Sequence, residues 1–151
     1  MKRTLLLVAL TGCGSTLTPP SEMQVAALPL EIPGLPSDSA DVVELGRLLF
    51  WDPVLSGDQD IACGTCHHPD FAYADGIAVS LGAGAEGVGP SRIGTLDQRT
   101  PKNSMTVLNT AFNGLTFEGQ IAIEEAPMFW DNDVFSLEDQ AIEPVLSDVE
   151  M

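Results

Sequence analysis

The stretch Ile61-Ala-Cys-Gly-Thr-Cys-His-His68 (IACGTCHH) decides how the chain is read. Cys63 and Cys66 stand one helical turn apart, so both sulfurs can face the same edge of a ligand. His67 follows at once with an imidazole. Covalent haem attachment needs two thiols for the two vinyl groups and a nearby imidazole for the iron. The spacing therefore points to haem c, with His67 as the axial ligand of the iron. Two alternatives stand beside it. Zinc would want four donors in a tetrahedron, and the one further strong candidate, His68, adjoins His67, from where both rings rarely reach one ion. A thioredoxin-like redox pair should sit near a βαβ pattern, and none flanks these cysteines. His68 is expected to be an exposed neighbour and not a ligand.

Working outward, the sequence predicts helices joined by long loops. SDSADVVELGRLLFWDP (37–53) offers Ser39 as an N-cap and an apolar stripe of Val42, Val43, Leu45, Leu48 and Leu49, with Pro53 as the stop. Leu55 to Asp60 forms a turn into the cysteine motif. Ser80 to Gly94 (SLGAGAEGVGPSRIG) is glycine-rich. No strand precedes it and no Gly-Lys-Ser/Thr follows, so it reads as a mobile surface loop and not a phosphate cradle. Asn103 to Phe112 is expected to be a short helix carrying Val107, Leu108 and Phe112. Gly114 to Met128 is irregular and acidic. Ser136 to Glu143 is a further helix, with Ser136 and Asp139 spaced like a capping box and Pro144 ending or kinking it. The fold class expected is all-α, a cytochrome c-like haem domain with long loops over residues 37–151.

Composition narrows the setting. A chain of 151 residues suits one domain, and 44% apolar residues is ordinary for a soluble protein. Only 6% are aromatic, so a bound cofactor is expected to supply part of the core. The formal net charge is −16. Such a surface disfavours nucleic acid and anionic lipid and suits a basic protein partner. Met1 to Cys13 (MKRTLLLVALTGC) has a basic start, a short apolar run and small residues before a cysteine. The run is too short to span a bilayer and reads as an export signal over residues 1–12. Leu10-Thr-Gly-Cys13 resembles a bacterial lipobox, which would make Cys13 a lipidation site. Residues 13–36 hold five prolines and read as an extended tether. The protein is thus expected in the periplasm, held to a membrane only by its lipid.

Residues around the haem motif carry a family resemblance. LGRLLFWDPVLSGD (45–58), CGTCH (63–67), FAYADG (71–76) and TVLNTAFN (106–113) occur in that order, followed by FWD (129–131), LEDQA (137–141) and VEM (149–151). Together they resemble the N-terminal haem domain of bacterial di-haem cytochrome c peroxidases and their MauG-type relatives, from about Ala40 to Met151. The resemblance implies that His67 is the proximal ligand of the peroxide-reacting haem and that Glu150 is the distal carboxylate moving protons on peroxide. It further implies that Gln140 is a distal-pocket amide, that Trp130 relays electrons between two haems, and that Asn103 belongs to a calcium site between domains. Hydrogen peroxide would be the substrate, with electrons from a small cytochrome c or a cupredoxin. A second haem is expected in the full-length protein, and a homodimer is compatible with the pattern. Physical chemistry supports Glu150: peroxide must lose a proton from one oxygen and gain one on the other, and one carboxylate can do both.

Three departures stand out. Many members carry a histidine after the motif that caps the resting iron; aligning Asp75-Gly76 puts Ala83 there, so an open sixth coordination site is expected. The family's Trp-Asp-Gly-Arg is Trp130-Asp-Asn-Asp133 here. The chain stops at Met151, and a truncated record is expected over a one-haem protein. Two other functions compete. One is a mono-haem electron carrier with Met105, Met128 or Met151 as distal ligand. The other is a MauG-like oxidase acting on a partner protein.

Overall fold

The computed structural model describes residues 39–116, 118–120, 122 and 126–151. The expected export signal, Cys13 and the expected 13–36 tether all lie outside the described residues. Among those described, no helix is long and apolar enough to cross a membrane.

Helix α1 spans Ala40–Trp51 and begins where the sequence signalled: Ser39 stays extended and its Oγ accepts the Val42 N–H at 3.3 Å. It ends at Asp52, whose carboxylate turns to accept the Val54 N–H at 2.9 Å and opens a single 3₁₀ turn, Pro53–Leu55. The apolar stripe of α1 is not a buried one. Val42, Val43, Leu45 and Leu48 are each half-exposed or more, and no residue of the helix is buried. The helix meets α2 (Cys63–Cys66) through Trp51. Gly64 lies under that indole: a Cβ there would overlap its six-membered ring, so only glycine admits the approach. Thr65 closes the short turn, its Oγ1 accepting the Ala62 N–H at 3.0 Å.

The third helix, α3, spans Leu137–Leu146, capped by Ser136, whose Oγ accepts the Asp139 N–H at 3.0 Å. Pro144 does not end the helix; it sits inside the last turn, two residues before Leu146. Proline has no N–H to offer the Gln140 carbonyl four residues back, so the helix forgoes that one bond.

The expected helix over Asn103–Phe112 does not form. Only Thr110–Phe112 makes a 3₁₀ turn. The backbone upstream is spent on other segments: Ser104 N–H goes to Ser80 Oγ at 2.6 Å and Val107 N–H to the Tyr73 carbonyl at 3.2 Å. Asn109 then takes the left-handed region at φ +63°, which breaks helical continuity. Tertiary pairing has overridden the apolar spacing. The Ser80–Gly94 segment is irregular, as expected, but only partly a surface loop: Ser80, Leu81, Gly82, Gly89 and Arg92 are buried.

No extended sheet is present among the described residues, only isolated antiparallel bridges at His68–Ala74, Leu81–Arg99, Glu86–Ile93 and Met128–Val134. The fold is therefore mostly loop with few helices, broadly the all-α class expected. Among the described residues the buried apolar set is small: Ile61, Ala62, Leu81, Ala126 and Met128. Polar residues are buried beside it in equal number, namely Ser56, Asp75, Ser80, Arg92 and Thr100. Side-chain-to-backbone bonds, more than apolar packing, therefore fix the long loops. Ser56 shows how: its Oγ accepts the Asp60 and Ile61 N–H groups and sets the turn that delivers the cysteine motif.

Candidate haem site

Cys63 and Cys66 occupy the first and last positions of α2, and both are unpaired thiols. Burial pushes both up from the ordinary thiol range; at Cys66 the Arg92 guanidinium opposes this, and Asp75 and Glu150 add to it. His67 leaves the helix at its C-cap, with its N–H on the Cys63 carbonyl at 2.9 Å. Its Nδ1 lies 3.2 Å from the Tyr73 carbonyl oxygen and 3.1 Å from Ser104 Oγ, which also sits 3.3 Å from Nε2. Burial lowers the imidazole's pKa, against the raising effect of nearby carbonyls and Asp75. Burial thus favours the neutral ring, the form that ligates a metal, and the Tyr73 carbonyl, which can only accept, favours the proton on Nδ1.

That carbonyl is aimed by strained backbone. Ala72 and Tyr73 both take φ +56°, in the left-handed region that non-glycine residues avoid. Such residues cost on the order of 1–3 kcal/mol each and persist where surroundings over-determine them. Here the Ala72 N–H is on Pro69 O, the Tyr73 N–H on His68 O, and Thr106 Oγ1 donates to Ala72 O at 2.5 Å. Behind the turn lies Asp75, 1% exposed. Its carboxylate accepts a short bond from Ser80 Oγ and the Ile77 N–H at 3.2 Å. Ser80 Oγ in turn accepts the Ser104 N–H, and Ser104 touches His67. In the sequence Asp75 stands out only through the FAYADG block and its alignment, and nothing marks Ser80, Ser104 or the two left-handed residues.

Arg92 was also missed, although a lone cation in a glycine-rich stretch of an acidic chain is a usable signal. It is 7% exposed. Nη1 donates to Cys66 Sγ at 3.1 Å and Nη2 to the carbonyls of Gly82 and Ala85 at 3.0 Å each; Nε is buried without a partner.

Glu150 is half-buried, in contrast to a frayed solvated acid. The segment around it is pinned at two points: Val149 O accepts the Ala83 N–H at 3.0 Å, and Met151 O accepts the Gly57 N–H at 2.8 Å. Burial raises the Glu150 carboxyl above the ordinary glutamate range, with Lys102 opposing, and its charge reaches Cys66. Gln140 is half-buried on α3. Trp130 is 58% exposed, its Nε1 donating to the Asn103 carbonyl at 3.2 Å. It sits in a tight turn where Phe129 and Asn132 are left-handed, and Lys102 pairs with Asp131. Asn103 thus meets Trp130 through its main chain. His68 is half-buried and not exposed as expected. Its Nδ1 accepts the Asp70 N–H at 3.3 Å, and its ring lies edge-on to Trp51. Met105 follows Ser104 on the His67 side, and Met128 is core, its sulfur beside Asn113 Nδ2.

The donor set fits haem c. Two free thiols sit one turn apart, beside a neutral imidazole whose Nδ1 is already engaged. It does not fit zinc: among the described residues no three His, Cys, Asp or Glu side chains converge. Thiols and imidazole together define the class as a c-type haem-binding domain. The family follows from comparison with known proteins. Residues 40–151 match the di-haem cytochrome c peroxidase family model, and the chain belongs to that family. It is 30% identical to cytochrome c551 peroxidase of Nitrosomonas europaea over all of this chain and 38% of that one. It is 35% identical to cytochrome c551 peroxidase of Pseudomonas aeruginosa over 72% of this chain and 24% of that one. With methylamine utilization protein MauG of Paracoccus denitrificans it shares 36% identity over 77% of this chain and 28% of the other. The crystal structure of a MauG-like protein associated with microbial copper homeostasis superposes with a TM-score of 0.54 at 28% identity, covering 78% of this chain and 31% of that one. The chain thus spans from about a quarter to two-fifths of the length of these four relatives.

Proposed function

We propose that this chain is the peroxide-reacting haem c domain of a peroxidase that reduces hydrogen peroxide to two waters, consuming two electrons and two protons. Haem, joined through Cys63 and Cys66 with His67 as ligand, supplies the redox-active iron. The rest falls to the protein. His67 donates Nδ1–H to Tyr73 O, which fixes the ring plane. Glu150 takes a proton from one peroxide oxygen and returns it to the other. Gln140 hydrogen-bonds peroxide without taking its proton. Ala83 offers no side chain that could cap the iron, so no reductive activation step is required. Electrons come from a small cytochrome c or cupredoxin, and the acidic surface suits a basic donor. Trp130 is the relay.

The observation that carries this reading is the Glu150 carboxyl, half-buried and raised, on a segment pinned by Ala83 and Gly57. A base of this kind contributes about 10²–10⁴-fold. Glu150→Gln in the haem-loaded protein should therefore lower the rate constant for H2O2 by about that factor. A variant that reacts with peroxide as fast as the parent would dispose of the assignment. One observation favours a MauG-like reading as second choice: Trp130 is exposed enough to pass oxidising equivalents to a partner protein. Peroxide-dependent cross-linking or hydroxylation of a partner, lost in Trp130→Phe, would identify it.

A further inference from the structure

Residues 81–83 form a junction between the cysteine motif and the Val149–Met151 segment. Gly82 N–H donates to Gln98 O at 2.8 Å, and its carbonyl accepts Arg92 Nη2 at 3.0 Å. The next residue, Ala83, donates its N–H to Val149 O. Leu81 O lies 3.8 Å from Cys66 Sγ, and Arg92 Nη1 reaches the same sulfur at 3.1 Å. One three-residue segment therefore ties the Cys66 thiol to the backbone that bears Glu150.

The closeness of this tie depends on a missing side chain. A Cβ built at Gly82 would overlap the Val149 carbonyl oxygen. It would also come within 2.8 Å of the Val149 carbonyl carbon and 3.1 Å of the Glu150 Cα. All of these are backbone atoms, which cannot swing away as a side-chain tip can. The backbone angle at Gly82 lies outside the left-handed region, so any residue could adopt it. The position demands glycine for space alone. It is also buried, so no solvent gap absorbs the extra atom.

We propose that Gly82 is a positioning residue for Glu150: its bare Cα lets the 81–83 segment and the Val149–Met151 segment lie back to back, so that the carboxyl stays fixed relative to the Cys66 edge. Arg92 is the brace behind it, because its guanidinium holds Gly82 O and Ala85 O and leaves the segment no freedom to retreat. The catalytic consequence rests on the reading of Glu150 as proton carrier; the positional claim does not.

Gly82→Ala and Glu150→Gln, each as the haem-loaded full chain, separate the two. Hydrogen–deuterium exchange of peptides containing Ala83 and Gly57 reads the position directly, since those amides donate to Val149 O and Met151 O. In Gly82→Ala both should exchange about tenfold faster or more, as the bonds open. The rate constant for H2O2 should fall by about 10–100-fold, the scale of a misplacement near 1 Å. The acid limb of that rate should move down toward the ordinary glutamate range, because a displaced Glu150 regains water while Lys102, the opposing cation, stays. A merely structural glycine would leave the limb in place. Unchanged exchange in Gly82→Ala overturns the proposal. So does faster exchange with an unmoved acid limb, provided that Glu150→Gln abolishes the limb. If Glu150→Gln leaves rate and limb as they were, the proton-carrier reading fails and exchange alone judges Gly82. Should Gly82→Ala not fold, Arg92→Gln removes the brace without adding an atom at Gly82. Faster exchange at Ala83 then supports the proposal and parental exchange overturns it.

Discussion

Replacing Asp75 by asparagine tests whether polar ties, and not apolar packing, hold the loop behind His67. Asp75 is 1% exposed and accepts from two donors, Ser80 Oγ and the Ile77 N–H. Ser80 Oγ is already an acceptor, taking the Ser104 N–H at 2.6 Å. Asparagine keeps the shape but offers one acceptor oxygen instead of two. If its oxygen faces Ile77, its NH₂ faces Ser80, and the serine hydroxyl proton has nowhere to go. If its oxygen faces Ser80, two N–H groups confront each other at Ile77. Either way one buried donor is orphaned, at about 1–3 kcal/mol. At roughly 5 °C per kcal/mol for a domain of this size, the melting temperature should fall by about 5–15 °C. Thermal unfolding of the haem-loaded protein, followed by far-UV circular dichroism, reads the shift. A second readout is local: Ser104 touches His67, so the visible spectrum of the folded variant should change with ligand orientation. An Asp75→Asn protein as stable as its parent would refute the reasoning, since no water or alternative acceptor could then be as scarce there as the buried geometry implies.

Two further outcomes follow from the same physics. Gly64→Ala pits a gain in helix propensity of about 1 kcal/mol against overpacking of about 1–3 kcal/mol where the new Cβ meets the Trp51 ring. Net destabilisation of up to about 2 kcal/mol is expected, read by chemical denaturation, and a stabilised variant would mean that Trp51 swings aside freely. Glu150→Gln should raise thermal stability at pH 7. Burial favours the neutral carboxyl, so ionising Glu150 costs the folded state at every pH above its raised value; near pH 4 and below, folded and unfolded chains both hold the proton and the gap should close. Melting curves of parent and variant from pH 7 to about pH 4 check the sign.

What was legible in the sequence was whatever is local. The haem motif needs only the spacing of Cys63, Cys66 and His67, and α2 supplies that with a single turn. Ser39 and Ser136 announce their helices because a cap is a contact over three residues. Where the reading failed, the deciding contact was remote. Asn103–Phe112 has spacing suited to a helix, but Ser104 and Val107 spend their N–H groups on Ser80 and Tyr73, more than 20 residues away. His68 was expected to be exposed, yet Trp51 and Phe71 close over it. The stripe on α1 was read correctly as apolar, and its burial did not follow, because an apolar stripe states what a surface is and not what covers it.

The same distinction explains why the site was easier to read than its support. Residues proposed to touch the chemistry are of few types, namely thiol, imidazole and carboxyl, and each stands out in a sequence. Residues that hold them here are ordinary ones put to unusual use: Ala72 and Tyr73 in left-handed backbone, Ser80 and Ser104 as relays, Gly82 as an absence of atoms. Ala or Ser at such a position looks like any other Ala or Ser. With an apolar core this small, those supports set how well His67 and Glu150 are held, and so how far a substitution outside the motif can reach into it. Outside the motif, the positions where a substitution reaches it most directly are therefore the loops from Phe71 to Ala85, which carry left-handed backbone, a buried acid and the glycine contact in fifteen residues.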